Sequence, residues 1–201
     1  LVMQLVEGGL VKLDEPVANH LPALKDLEVY GEKGGVAPSR PITVRDLLRH
    51  TSGLSYGFFG DGPVDRLYKK KNPLWSANNS ELVQKVAELP LAHHPGQRWT
   101  YSVGTDVLGA LIERVTDQGL GAYFSEHLLV PLEMRDTSFH VPKDKLGRFA
   151  SSYAPGGDVV ERFKSSPYGN PKRIQSGGGG LVSTAGDYMR FCQMLLNEGR
   201  L

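Results

Sequence analysis

The 201-residue chain carries 23 Lys and Arg residues against 22 Asp and Glu residues, and 40% of its residues are hydrophobic. This balance is typical of a globular protein and excludes extensive intrinsic disorder. The only notable basic run, Lys69-Lys70-Lys71, is too short for a nucleic-acid surface and is interpreted as a solvated loop. No apolar stretch reaches the roughly 18 residues that span a bilayer, so we expect no membrane segment.

The predicted elements are mostly helices. The first half begins with a helix over residues 1–7, stopped by Gly8-Gly9, and a short helix from an N-cap at Asp14 toward Leu24. A loop over 28–41 follows, and then a helix from a capping box at Thr43 and Asp46 to His50. Residues 56–79 are predicted to form an irregular segment. We place His50 at the end of its helix, where the helix dipole favours a cation.

The second half contains the strongest helical pattern. Its predicted elements are a helix from Ser80 to Leu89, an extended segment over Trp99–Tyr101, a helix from Thr105 or Asp106 to Val115, a helix over 120–129 stopped by Pro131, short strands and loops over 136–182, and a final helix after a capping box at Thr184 and Asp187. We interpret Gly177–Gly180 as a turn with close backbone approach, since no Lys-Ser/Thr follows it as in a phosphate loop.

Cysteine and histidine placement suggests no metal or disulfide chemistry. Cys192 is the single cysteine, and its apolar neighbours predict a small buried side chain. His93 and His94 are adjacent, and adjacent side chains rarely converge on one ion. We therefore expect neither a metal nor a cofactor.

Both ends of the chain suggest a piece of a longer protein. Residues 1–7 are apolar at helical spacing but have no N-cap, and they lack the features of a signal peptide. The final helix stops within one turn of its terminus at Gly199. We expect residues 1–201 to be the central part of a domain that is truncated at both ends.

Three motifs carry a resemblance to one family. Leu47 to Leu54, reading LLRHTSGL, resembles the LLxHTSGL signature of the serine β-lactamase-like and penicillin-binding-protein-like superfamily. Pro95 to Ser102 and the helix after them resemble the segment that holds its second catalytic motif. Ser176 to Asp187 is similar to the stretch before its late helix. The chain most resembles the class C-like branch that includes the family VIII carboxylesterases. The resemblance implies an α+β, β-lactamase/transpeptidase-like fold, of which this chain covers mainly the helical region with few short strands.

The family's chemistry uses a Ser-x-x-Lys helix, a tyrosine motif and a Lys/His-Thr-Gly strand. By this resemblance Tyr101 is the catalytic tyrosine, Ser102 its small neighbour in the substrate pocket, and Val103 stands where β-lactamases have asparagine. Because valine cannot donate to an amide, we expect ester hydrolysis. Neither of the other two motifs occurs in the sequence, so the nucleophile is expected upstream of Leu1 and the third motif after Leu201. The chain alone is expected to be inactive.

Other interpretations stay open. Tyr56, Phe58 and Phe59 are candidate pocket walls, although loop aromatics equally often cover the edge of a core. Gly53 to Gly57 matches the Gly-x-Ser-x-Gly elbow of α/β-hydrolases around Ser55, but a helix precedes it where a buried strand is required. The substrate is expected to be a small ester or lactam. The alternatives are a β-lactamase or D-Ala peptidase, and a non-catalytic binding module. The sequence does not fix the oligomeric state or the localisation.

Overall fold

The computed structural model describes residues 1–161 and 166–200. The α-helices in this part of the chain are α1 (Val2–Glu7), α2 (Val44–Leu48), α3 (Pro63–Lys71), α4 (Asn79–Ala87), α5 (Gly104–Thr116), α6 (Leu120–Phe124) and α7 (Ala185–Leu196). Short 3-10 helices span Val17–Asn19, Pro22–Leu24, Lys143–Arg148 and Pro167–Gly169, and a π-helical turn, Ser125–Leu129, continues α6. No helix in the described ranges is both long and apolar enough to cross a membrane.

Helix α5 is the centre of the main core. Its apolar positions Val107, Leu108, Leu111 and Ile112 recur at helical spacing and are all buried. The helix packs against α2, α4 and α6. The strongest helical pattern of the sequence therefore becomes the element around which the others assemble.

Sheet content is small. β1 (Ser152–Tyr153) pairs antiparallel with β2 (Val159–Glu161), and the register shifts between the two paired positions. An isolated antiparallel bridge joins Ser138 to Val182. This composition confirms the α+β prediction of a mainly helical region with few short strands.

Local capping explains two helix starts. The Thr43 hydroxyl accepts from the amide N–H of Asp46, and the Asp46 carboxylate accepts from the amide N–H of Thr43, as the capping box requires. At the far end the Thr184 hydroxyl accepts from the amide N–H of Asp187. Both N-caps were predicted from the sequence, but the second predicted capping box is incomplete, because the Asp187 carboxylate accepts from Asp136 and Thr137 instead of the amide of Thr184.

The predicted irregular segment over 56–79 is wrong in its middle. Residues 63–71 form α3, and the three lysines lie in its last turn rather than in a loop. The reasons are local: Pro63 occupies the first turn, Asp65 adds a negative charge there, and the lysines face the negative end of the dipole. Asn72 ends the helix in the left-handed conformation, with φ of 47°.

Two further predictions need correction. Asp14 caps no helix, because its carboxylate instead receives two hydrogen bonds from Arg45 at 2.6 and 2.7 Å. Cys192 is half-buried rather than buried. The reason is that α7 leaves most of its apolar side chains exposed, namely Tyr188, Met189, Leu195 and Leu196.

Candidate active site

Tyr101 lies on the wall of an open cavity of about 500 Å³. The residues that line this cavity are Ser55, Phe59, Gly60, Asp65, Trp99, Thr100 and Tyr101. The Tyr101 side chain is 41% exposed, and the residue lies three positions before the start of α5. Its phenol is therefore accessible to a ligand, while its backbone is close to the start of α5.

The backbone around Tyr101 is attached to the loop that follows α2. The amide N–H of Thr100 donates to the carbonyl of His50 at 2.8 Å, and the amide N–H of Gly96 donates to the carbonyl of Thr51 at 2.8 Å. The amide N–H of Ser102 donates to the Nδ1 atom of the His50 ring at 3.3 Å. The two sequence signatures thus meet in space although they lie some 50 residues apart.

The prediction that His50 caps the end of its helix is wrong. Helix α2 ends at Leu48, and His50 adopts a left-handed conformation with φ of 55°. An Nδ1 atom that accepts a hydrogen bond carries no proton, so the ring proton sits on Nε2. Burial lowers the pKa of His50, against an opposing effect of the Asp106 charge. The imidazole serves as a neutral acceptor instead of a cation at a helix end.

Aromatic rings surround Tyr101. The ring of Tyr101 lies 4.8 Å from His50, 5.1 Å from Tyr56, 5.7 Å from Phe59 and 6.1 Å from Trp99, measured between centroids. These distances are in the range of favourable aromatic pairs. Of these four partners, Phe59 and Trp99 are exposed, at 77% and 64%.

The predicted pocket walls come together here. Phe59 lines the cavity, and Tyr56 packs on the catalytic candidate from below, with little exposure of its own. Phe58 stacks on Tyr56 with centroids 5.3 Å apart and an interplanar angle of 4°, and it is exposed. Of the three predicted pocket walls, Phe59 lines the cavity, Tyr56 contacts the Tyr101 ring without lining the cavity, and Phe58 contacts Tyr56 and Phe59 instead of Tyr101.

Ser102 and Val103 lie beneath the cavity instead of in its wall. The Ser102 side chain is fully buried; its hydroxyl is 3.3 Å from His50 Nδ1 and accepts from the amide N–H of Gly104. Val103 joins the hydrophobic core. Because neither side chain faces the cavity, Ser102 acts as an anchor for the Tyr101 segment. The ester preference inferred from Val103 loses its geometric basis.

Asp106 is a buried anchor that the sequence analysis did not single out. One carboxylate oxygen, Oδ2, accepts from the Tyr56 hydroxyl at 2.9 Å. The other, Oδ1, accepts from the Ser176 hydroxyl at 2.5 Å and from the amide N–H of Gly178 at 3.2 Å. Burial, with the Asp106 charge, raises the pKa of Tyr56 far above its usual range, so Tyr56 stays a neutral donor. The available signal was a carboxylate directly before the buried apolar positions Val107 and Leu108 of α5.

The glycine run packs against this anchor. A side chain at Gly177 would place its Cβ atom on the carbonyl oxygen of Thr105, and one at Gly178 would collide with the Asp106 carboxylate and the Tyr56 hydroxyl. This close approach confirms the predicted turn.

Ser55 is not an elbow nucleophile. Its hydroxyl donates to Asp65 Oδ1 at 2.8 Å and accepts from the amide N–H of Gly57 at 2.9 Å, so it closes a turn. Helix α2 and a loop precede it, where an elbow needs a buried strand.

The site offers a proton-transfer group in an apolar setting. A phenol can take or give a proton, and it becomes a base when a nearby cation favours the phenolate. The four rings around Tyr101 bring no positive charge while His50 is neutral, so that cation must come from another group. Within residues 1–161 and 166–200, no cluster of three or more His, Cys, Asp or Glu side chains could hold a metal ion.

Comparisons with known proteins show the family of the chain. The family model described as "Beta-lactamase" matches residues 1–201. The chain is 38% identical to protein Rv1367c of Mycobacterium tuberculosis, over 98% of this chain and 50% of that protein. It is 34% identical to monacolin J acid methylbutanoyltransferase of Aspergillus terreus, over 100% of this chain and 50% of that protein. It is 35% identical to esterase EstB of Burkholderia gladioli, over 96% and 53% respectively.

A solved structure of a hydrolase is also similar to this chain. EstCE1, described as a hydrolase with promiscuous acyltransferase activity, superposes with a TM-score of 0.79 at 28% identity, over 99% of this chain and 55% of that one. The chain thus spans about half the length of the curated relatives it matches. The match over its whole length shows that the chain belongs to the β-lactamase family.

Proposed function

We propose that the protein containing this sequence, called the parent protein below, is a serine hydrolase that cleaves carboxylic esters through an acyl-serine intermediate. The observation that carries the proposal is the accessible Tyr101 phenol on the cavity wall. The amides of the residues on both sides of it, Thr100 and Ser102, donate hydrogen bonds to His50. The esterase name of EstB and the hydrolase description of EstCE1 support the reaction class.

In this mechanism Tyr101 moves one proton twice. As a phenolate it takes the proton from the serine hydroxyl while the serine oxygen attacks the ester carbonyl. It then gives that proton to the oxygen of the departing alcohol, which leaves the acyl-serine. Water repeats the sequence and releases the acid. The serine and the lysine that favours the phenolate lie outside the 201 residues, since the sequence contains no Ser-x-x-Lys.

The substrate is a small ester with an apolar portion. Phe59 and Trp99 expose ring faces beside Tyr101, and the cavity of about 500 Å³ is of the size that binds small molecules. Burying apolar surface of the substrate against these rings contributes about 25 cal/mol per Å². No metal or cofactor enters this mechanism.

Acyl transfer to an acceptor alcohol is the second candidate. The acyl-serine is common to both reactions, and only the group that attacks it differs. The cavity is open, and the exposed rings of Phe59 and Trp99 that line it leave room for an acceptor larger than water. The methylbutanoyltransferase relative supports this candidate.

A substrate panel tests the proposal. The parent protein should hydrolyse p-nitrophenyl butyrate, and its turnover of nitrocefin and of a D-Ala-D-Ala peptide should be much slower. Preferred turnover of nitrocefin or the peptide would indicate a β-lactamase or a peptidase, and turnover of none would indicate a binding module. The 201-residue chain alone should be inactive. Ester turnover by that chain which disappears in Tyr101→Phe would contradict a nucleophile outside it.

A further inference from the structure

His50 holds both neighbours of Tyr101, through two different groups. Its carbonyl oxygen accepts from the amide of Thr100 at 2.8 Å, and its ring atom Nδ1 accepts from the amide of Ser102 at 3.3 Å. Its ring also packs on the Tyr101 ring, with centroids 4.8 Å apart. The peptide groups on both sides of Tyr101 are therefore held by one residue of the other sequence signature.

We propose that neutral His50 is the positioning residue that holds Tyr101 in its working place, and that protonation of Nδ1 breaks the hydrogen bond from the Ser102 amide and so displaces Tyr101. The inference rests on the proposed function, in which Tyr101 transfers the proton. It makes the site sensitive to pH through a residue that does not touch the substrate.

The chemistry of the imidazole gives the direction of this switch. Nδ1 accepts the Ser102 N–H only through its free lone pair, and protonation removes that lone pair. Two hydrogen-bond donors, the Ser102 N–H and the added proton, would then face each other. The bond from the Ser102 amide cannot survive the change, and the protonated ring can then donate only to the Ser102 hydroxyl, which lies 3.3 Å from Nδ1.

The groups around His50 determine its pKa and therefore the pH at which Nδ1 gains its proton. Asp106 faces it from α5, and its negative charge favours the imidazolium form. Tyr101 faces it from the cavity side, and the phenolate that the proposed mechanism requires also favours the imidazolium form. Burial outweighs the Asp106 charge and lowers the pKa of His50 below 6.5. The displacement therefore occurs below the His50 midpoint, and His50 is neutral above it.

Two substitutions of His50 test the role of the side-chain acceptor while the backbone keeps its left-handed conformation. Asn and Gly both tolerate the left-handed conformation that His50 adopts. The side-chain oxygen of His50→Asn can accept from the Ser102 N–H near the Nδ1 position and does not titrate. His50→Gly removes the acceptor altogether. Both variants lose the ring that packs on Tyr101, so their difference reports the acceptor.

The first measurement needs no activity. In the parent protein labelled with ¹⁵N, the Ser102 amide resonance should shift with the same midpoint as the His50 ring. This shift should be absent in His50→Asn, while the other histidines still titrate. A Ser102 amide that does not follow the His50 titration would overturn the proposal, whether or not the protein hydrolyses esters.

The second measurement is the pH profile of ester hydrolysis. Wild-type kcat should fall below the His50 midpoint, by up to about tenfold per pH unit as the neutral fraction falls. His50→Asn should lose this low-pH decrease, and His50→Gly should have at least about tenfold lower kcat at every pH, within the range of a misplaced catalytic group. Identical profiles for both variants and wild type would overturn the proposal. If wild type shows no turnover although Ser102 follows His50, the proposed function fails and the positioning role stands.

Discussion

Replacing Asp106 should destabilise the protein strongly. Asp106 is fully buried and accepts hydrogen bonds from Tyr56, Ser176 and Gly178, which belong to two loops distant in sequence. In Asp106→Ala these three donors lose their acceptor inside the fold. Each buried donor without a partner costs about 1–3 kcal/mol. Removal of the buried charge offsets part of this sum, which leaves a net loss of about 3–5 kcal/mol, as found when one partner of a buried network is deleted.

Urea unfolding followed by circular dichroism measures this loss. Asp144→Ala is the matched control, because Asp144 is an exposed aspartate in a 3-10 helix. The control should stay within about 0.5 kcal/mol of wild type. Asp106→Asn should fall between them, since its amide keeps one oxygen and offers an N–H to the Tyr56 hydroxyl. If Asp106→Ala costs no more than Asp144→Ala, the buried hydrogen bonds do not hold the two loops.

Three further predictions concern the supports of the site. Gly177→Ala should lower the unfolding midpoint by several degrees, because its Cβ would collide with a backbone oxygen; Gly179→Ala, which meets nothing, should not. Burial would raise the pKa of Asp46, but hydrogen bonds from Arg40 and its other partners lower it below its usual range. Stability from Asp46 is therefore present above about pH 4 and lost as pH falls further, and an unfolding titration of Arg40→Ala should show a smaller acid loss. Phe59→Ala should raise KM for apolar esters about tenfold and change kcat little, and an equal loss of kcat would contradict a binding role.

Helices with a local cause were predictable from the sequence. The capping residue Thr43 and the apolar spacing along α5 act within one or two turns, so a short window of sequence contains them. The turn at Gly177–Gly180 was visible as a run of glycines, but the residues it approaches, Thr105 and Asp106, are distant in sequence. Helix α3 was missed although Pro63 and the lysines gave local signals, because the frequent Gly and Pro residues around it favoured a loop.

The site itself depends on contacts between distant residues. His50 and Ser102 are 52 residues apart, and Asp106 and Ser176 are 70 apart. No periodicity marks such pairs, so the roles of His50 and Asp106 could not be predicted. The resemblance of the motifs made Tyr101 the catalytic candidate, but it could not show that Ser102 and Val103 point away from the cavity. Their burial follows from packing at the start of α5.

The most direct test of the account is the Tyr101→Phe substitution in the parent protein, assayed with p-nitrophenyl butyrate. Loss of the hydroxyl should lower kcat by about 10²–10⁴-fold, the usual contribution of a positioned acid–base group. Tyr153→Phe removes an exposed hydroxyl in β1 and is the matched control, which should keep wild-type kcat. A Tyr101→Phe variant that hydrolyses the ester as fast as Tyr153→Phe would contradict the proton-transfer role of Tyr101.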